Sequence, residues 1–281
     1  LESIAGSDFR GTLNVFFQPA EEVVGGGKAV AESSHLSDVE YLLALHVGLD
    51  HPTGEIVAGV DDFLGVSQFS VTYTGESAHA GGHPEQGHNA VQSMATAVQN
   101  LSAISRHNDG PTRVNAGTVE GGTAPNIIPE TATIEGEVRG ATTELTDYMR
   151  DRADRVLRTA GEMHGCSVDI ETTGEAPSAS SDPALADVVS EAAETISTVE
   201  RVLKRDELGG SEDASYLMRA VQEQGGLATY VGIGTDHPGG HHTPTFDVDE
   251  ESIAIGVDLL SETIRSISSR RPIRTGFTPG E

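Results

Sequence analysis

The sequence predicts an α/β protein interrupted by an inserted ferredoxin-like α+β domain, and three observations point there. Short apolar runs at Leu13–Phe17, Tyr41–Leu45 and Leu227–Ile233 read as buried strands. They alternate with segments of helical apolar spacing on both flanks, as layered α/β proteins do. Between those flanks, over roughly residues 65–176, the elements run strand, helix, strand, strand, helix, strand, the ferredoxin-like order.

Taken along the chain, the run Leu13–Phe17 stops at Gln18-Pro19, where proline interrupts regular pairing. Gly25-Gly26-Gly27 opens a helical stretch, Tyr41–Leu45 leads into His46, and Glu55–Val60 is strand-like. Within the insert, Phe69, Val71 and Tyr73 alternate with Ser70, Thr72 and Thr74, so one face of a half-buried strand is apolar. Ala90, Val91, Met94, Ala97, Val98 and Leu101 recur at helical spacing. Arg113–Val119 and Thr131–Val138 alternate again; Leu145, Met149, Val156 and Leu157 mark a second helix, and Ser167–Glu171 a last strand. Ala176–Ser181 reads as a linker. Asp182 is expected to cap a helix through Leu185, Val188, Val189, Ala192 and Ile196, with Pro183 in its first turn. Ala214–Gln222 forms another helix, and Ile253, Val257, Leu260, Ile264 and Ile267 the final one. The expected organisation is 1–64, an inserted domain 65–176, a return 177–269, and a tail 270–281.

The chain has 281 residues, with 17 basic against 44 acidic side chains and a formal net charge of -27. That length buries a core without disulfides, and the single Cys166 excludes an intrachain disulfide and a multi-cysteine zinc site. Such acidity argues against nucleic acid, whose phosphates need Lys and Arg. No apolar run approaches ~18 residues and no secretory signal opens the chain, so the expectation is a cytoplasmic protein without a membrane partner. Lysine is confined to Lys28 and Lys204. Strong acidity with so little lysine fits adaptation to high salt (halophilic), where self-repulsion is screened; an ordinary acidic protein is the other reading.

Candidate chemistry lies in a handful of places. Glu21 and Glu22 follow the first strand through Pro19-Ala20. In a turn both carboxylates can reach one cleft, one taking a proton and the other holding a metal; equally, acids at a helix start are favoured by its dipole. His46 sits at the carboxyl end of an apolar strand, where α/β folds place ligands; a packed, hydrogen-bonded histidine is the alternative. His237, His241 and His242 lie in a Gly-rich loop suited to metal or to simple exposure. His79, His83 and His88 fit no zinc motif, and the loop bearing them could present one imidazole as a donor. There is no P-loop, no dinucleotide fingerprint and no Gly-x-Ser-x-Gly elbow. Cys166 reads as a small packed side chain.

In order, Phe17-Gln18-Pro19-Ala20-Glu21-Glu22, Ala44-Leu45-His46-Val47, Ala78-His79-Ala80-Gly81 through Pro84-Glu85-Gln86-Gly87-His88-Asn89-Ala90, Asn126-Ile127-Ile128-Pro129, Glu137-Val138-Arg139-Gly140, Gly210-Ser211-Glu212-Asp213-Ala214 and His242-Thr243-Pro244-Thr245-Phe246-Asp247 resemble the motifs of the M20 metallopeptidase and amidohydrolase family. The resemblance implies a two- or three-layer catalytic domain carrying the ferredoxin-like insert as a dimerisation or lid domain. It implies hydrolysis of the amide bond of an N-acyl amino acid, p-aminobenzoyl-glutamate-like, by a metal-activated water. Glu21 matches the general base; Glu22, His46 and His242 match ligands of a site for two divalent ions, Zn or Mn. His79 matches a histidine that reaches the reacting carbonyl, often across a dimer interface, and Asn126 and Arg139 match substrate contacts. Glu212 and Asp213 match a motif near the site without an assigned role, and His241 a neighbour of the ligands. The implied partners are the small substrate and either a second copy or a related subunit.

The family also carries an earlier Cys-Gly-His-Asp-like segment that supplies further ligands, and residues 1–20 hold no match to it. Two expectations follow. Either the 281 residues are part of a longer enzyme and inactive by themselves, or they form a non-catalytic dimerisation and binding module.

Overall fold

The computed structural model describes residues 9–18, 25–237 and 243–269. They fall into two units: one holds the N-terminal residues, Gly26–Phe63 and the chain from Ala179 onward, the other Gly25 and Leu64–Ser178. In the first unit the glycine run opens helix α1 (Gly26–Ala31), and the apolar run Tyr41–Val47 becomes β1. The strand-like stretch expected over Glu55–Val60 is two short strands, β2 (Glu55–Val57) and β3 (Val60–Asp61). The expected strand at Leu13–Phe17 is not one. Its residues take no place in a ladder, and Val15 and Phe17 are 53% and 91% exposed. An apolar run becomes a strand only where a neighbour takes up its N–H and C=O groups, and of these side chains only Phe16 packs on the unit's core.

The second unit is built on the alternation seen in the sequence. Its elements are β4 (Gly65–Thr74), β5 (Ala78–His79), α2 (Ala90–Leu101), β6 (Thr112–Gly121), β7 (Ile127–Ile128), β8 (Thr131–Gly140), α3 (Thr143–Met163) and β9 (Ser167–Ala176). The antiparallel sheet runs β6-β8-β4-β9, the ferredoxin-like order, and β5 and β7 pair as a separate ribbon. Phe69, Val71 and Tyr73 turn to one face and meet Ala97, Leu101, Met149, Ala153 and Leu157 from the two helices. Asn89 caps α2 and Thr142 caps α3, each accepting from a first-turn N–H. Cys166 joins the same core as a free thiol, as its surroundings in the sequence imply. Burial raises the Tyr73 hydroxyl well above the ordinary tyrosine range, and Tyr73 satisfies it by donating to the Leu157 carbonyl at 3.1 Å. Met149 is fully buried between sheet and helices. Met149→Ala is expected to lower the protection of the slowest β4 amides by about 2–5 kcal/mol, read by hydrogen exchange.

The chain re-enters the first unit through α4 (Pro183–Ala193), β10 (Arg201–Leu203), β11 (Asp206–Glu207), α5 (Ala214–Glu223), β12 (Leu227–Ile233) and α6 (Glu250–Ser269). Its sheet runs β1-β12-β2-β10, with β1 and β12 parallel and in register from Tyr41↔Leu227 to Val47↔Ile233. β12 is buried along its whole length, as an apolar strand covered on both faces must be. One cluster gathers Leu42, Met218, Val221 and Tyr230, another Ile56, Val189, Val231, Ile255 and Leu259. Asp182 takes the cap position of α4 with Pro183 in its first turn, as expected, but its side chain makes no capping bond to that helix. Its Oδ2 accepts from the Ala228 N–H and the Gln222 amide instead, each within 2.9 Å. A backbone N–H of β12 and a glutamine from α5 take up the carboxylate, which ties three elements together.

Candidate functional site

Because β1 and β12 are parallel, their carboxyl ends open on the same side, which is where ligands collect in such sheets. His46 stands there, opposite Gly232, and lies near-parallel to the Tyr230 ring at a centroid distance of 6.3 Å. Its Nδ1 lies 2.8 Å from the Val47 carbonyl oxygen. A carbonyl only accepts, so Nδ1 carries a proton, and the tautomer that this selects has its lone pair on Nε2. That is the tautomer of a metal-ligating histidine.

The chain beyond β12 is anchored at both of its shoulders. Thr53 receives the Asp236 N–H at 2.9 Å and donates to Asp249 Oδ2 at 2.9 Å. Asp249 N–H reaches Thr235 Oγ1 at 2.8 Å, and Ser252 donates to the Gly234 carbonyl at 2.8 Å. His237 lies in this stretch with its ring 5.2 Å from that of Phe246. Glu21, Glu22, His241 and His242 lie outside the described residues. Among the described residues no three His, Cys, Asp or Glu side chains converge as a metal-binding group. Nor does any helix there have the length and apolarity to cross a membrane.

The loop between β1 and β2 is held by His51. Its two ring nitrogens meet Glu55 Oε2 at 3.1 Å and Asp206 Oδ2 at 2.8 Å, and Arg201 adds a contact to Glu55 at 3.2 Å. Burial alone would raise the Glu55 carboxyl, but hydrogen bonds from His51 and Arg201 outweigh it and hold the group below the usual glutamate value. A carboxyl depressed in the folded state gives stability that is present above its unfolded value and lost as pH falls through its folded one.

In the second unit the ribbon β5–β7 brings two expected residues together. His79 pairs with Ile127, and the Ala80 N–H donates to the Asn126 carbonyl at 2.9 Å. His79 Nδ1 accepts from the backbone N–H groups of Gly81 and Gly82 at 3.2 and 2.9 Å. Two donors on Nδ1 place the ring proton on Nε2, a hydrogen-bond donor on an exposed side chain. The sequence reads this loop as able to present one imidazole as a donor, and the two glycine N–H groups give His79 the tautomer for it.

Arg139 sits on the other sheet of the unit, on β8, opposite Val66 and Arg113. Glu137 grips its Nε and Nη2 at 2.7 and 3.1 Å. A guanidinium has five N–H groups, so this side-on fork leaves the end-on pair of donors for a second carboxylate. Sequence reasoning places Glu137 within a motif but misses it as a partner. Its position two residues from Arg139 on one strand, hence on the same face, is the signal that could have found it.

A sequence profile described as peptidase family M20/M25/M40 matches residues 2–266. The chain is 38% identical over 264 residues to indole-3-acetyl-aspartic acid hydrolase of Enterobacter agglomerans, covering 94% of this chain and 61% of that protein. It is 37% identical over 258 residues to a p-aminobenzoyl-glutamate hydrolase subunit of Escherichia coli strain K12, covering 92% and 59%. The crystal structure of an aminobenzoyl-glutamate utilization protein from Klebsiella pneumoniae superposes with a TM-score of 0.80 at 33% identity, over 90% of this chain and 62% of that one. The chain thus spans about 60% of the length of these curated relatives. With the β-sheet of its first unit, its ferredoxin-like second unit and a profile matched over nearly its whole length, the chain belongs to peptidase family M20/M25/M40.

Proposed function

We propose that the protein to which these residues belong is a metal-dependent amidohydrolase that splits the amide bond of an N-acyl amino acid. The observation that carries this reading is the 37% identity, along 92% of the chain, to the p-aminobenzoyl-glutamate hydrolase subunit of Escherichia coli. The indole-3-acetyl-aspartic acid hydrolase narrows it further. Both names describe an aromatic acyl group joined to an acidic amino acid, so a p-aminobenzoyl-glutamate-like substrate is the proposal for this chain.

Glu22, His46 and His242 would hold a divalent cation, Zn or Mn, and the His46 tautomer suits that task. Two such cations, when bound, supply Lewis acidity to the water and to the amide carbonyl. The rest falls to the chain itself. Glu21 takes the proton from the attacking water and returns it to the leaving amine. His79, with its proton on Nε2, donates to the oxygen that gains charge. Asn126, beside it on the ribbon, contacts the substrate, and the end-on donors of Arg139 grip a carboxylate of the amino acid. The second unit serves as the dimerisation and lid domain, against a second copy or a related subunit.

The test uses the complete gene product. Hydrolysis of p-aminobenzoyl-glutamate and indole-3-acetyl-aspartate is expected to exceed that of an unacylated dipeptide by at least about tenfold, a margin that differential contacts readily supply. Chelation should abolish it, and added Mn or Zn should restore it. Full turnover after exhaustive chelation, or no cleavage of any N-acyl amino acid, would refute the assignment.

A further inference from the structure

Asp213 is 1% exposed. It occupies the cap position directly before α5, yet its side chain makes no capping bond to that helix. Its carboxylate is turned toward two other parts of the same unit. Oδ2 accepts from the Gly27 backbone N–H at 2.8 Å, and Oδ1 accepts from the Gln18 side-chain amide. Gly27 lies in the first turn of α1, where N–H groups have no acceptor within the helix. Asp213 therefore caps a helix that is not its own. The approach is close enough to require glycine: a Cβ at position 27 would lie 2.2 Å from the Asp213 carbonyl oxygen. A buried carboxylate is costly unless its oxygens are satisfied, and here both are used on partners that bracket one stretch of chain. That stretch, residues 19–26, contains Glu21 and Glu22.

We infer that Asp213 is a positioning residue: by holding Gln18 with one oxygen and Gly27 with the other, it fixes both ends of the segment bearing the acid pair. The inference rests on the reading that Glu21 and Glu22 carry the chemistry. It assigns Asp213 a task in the reaction without contact to the substrate. Errors of about 1 Å in the placement of a reacting group cost on the order of 100-fold in rate, so a tie at both flanks has leverage.

The polarity of the Gln18 contact permits an exchange test in the complete protein. Asp213→Asn turns one acceptor into a donor facing a donor, and Gln18→Glu sets two carboxylates against each other. In the double variant the introduced amide donates to the introduced carboxylate, while its oxygen still accepts from the Gly27 N–H. Each single variant is expected to lose about 10- to 100-fold in kcat with KM within about twofold, and the double to recover to within about fivefold of wild type. The affinity for Mn, measured by calorimetry, should fall and recover in the same order. Gln18→Ala, which removes only the half-buried partner of the pair, guards against singles that do not fold; it should lose several-fold in both readouts with an unchanged circular dichroism spectrum. Wild-type kcat and Mn affinity in Gln18→Ala or Asp213→Asn, or a double variant no better than the worse single, would overturn the inference. Glu21→Gln runs alongside. If it is inactive while Asp213→Asn is unimpaired, the positioning role alone fails; if it is fully active, the acid-pair reading fails and takes this inference with it.

Discussion

Replacing Glu21 with glutamine in the complete protein is expected to lower kcat about 100- to 10,000-fold, the usual worth of a positioned general base, while KM changes little. The amide keeps the volume and most of the hydrogen bonding of the carboxylate but takes no proton. Glu22→Gln should behave differently. Glu22 is assigned to the metal, so its loss should weaken Mn or Zn binding, and excess metal should recover part of the rate. The two neighbours are thus separable by one titration: added metal rescues the second variant and leaves the first inactive. Equal activity of Glu21→Gln and wild type would remove the proposed base. Loss of Mn affinity in Glu21→Gln and not in Glu22→Gln would exchange the two roles.

Much of the second unit is legible in the sequence because its strands obey a single physical rule. One face of β4 is covered by helices and the other is not, so Phe69, Val71 and Tyr73 alternate with Ser70, Thr72 and Thr74. The same holds for the helices, whose buried residues recur on one stripe. The first unit is harder to read. β12 and the Leu13–Phe17 stretch are both short apolar runs, yet one is wholly buried and the other exposes Phe17. Composition cannot separate them, since the difference lies in whether a neighbouring strand is present. β10 and β11 cover only Arg201–Leu203 and Asp206–Glu207, too few residues to show a period.

Contacts between distant residues are the other blind spot. Asp182 and Asp213 each precede a helix, as a cap does. Both turn their carboxylates to other elements, Asp182 to Ala228 and Gln222, Asp213 to Gly27 and Gln18. A cap is visible in sequence because donor and acceptor are neighbours; a tie across 186 residues, as from Asp213 to Gly27, leaves no local trace. The candidate histidines are visible as residues, but not their tautomers. Those are set by the Val47 carbonyl for His46 and by two glycine N–H groups for His79.

The His79 tautomer makes the second large effect. His79→Ala is expected to lower kcat about 100- to 1,000-fold, the range for removing one donor to a developing oxyanion. His79→Gln, which keeps an N–H of similar reach, should retain more of the rate. Nitrogen chemical shifts of the ring should show Nδ1 as the acceptor and Nε2 as the protonated atom. In this chain the side chain stands exposed on its ribbon, and that bears on the size of the loss. A donor in open water competes with solvent and gains little, because a charge–dipole contact is strong only where water is excluded. The full effect therefore requires that His79 be covered during turnover, as the proposed pairing with a second copy or related subunit would do. A loss within about tenfold would mean that the donor works in solvent, at the worth of an ordinary exposed hydrogen bond to a charged group. Unchanged kcat in His79→Ala would remove His79 from the reaction altogether.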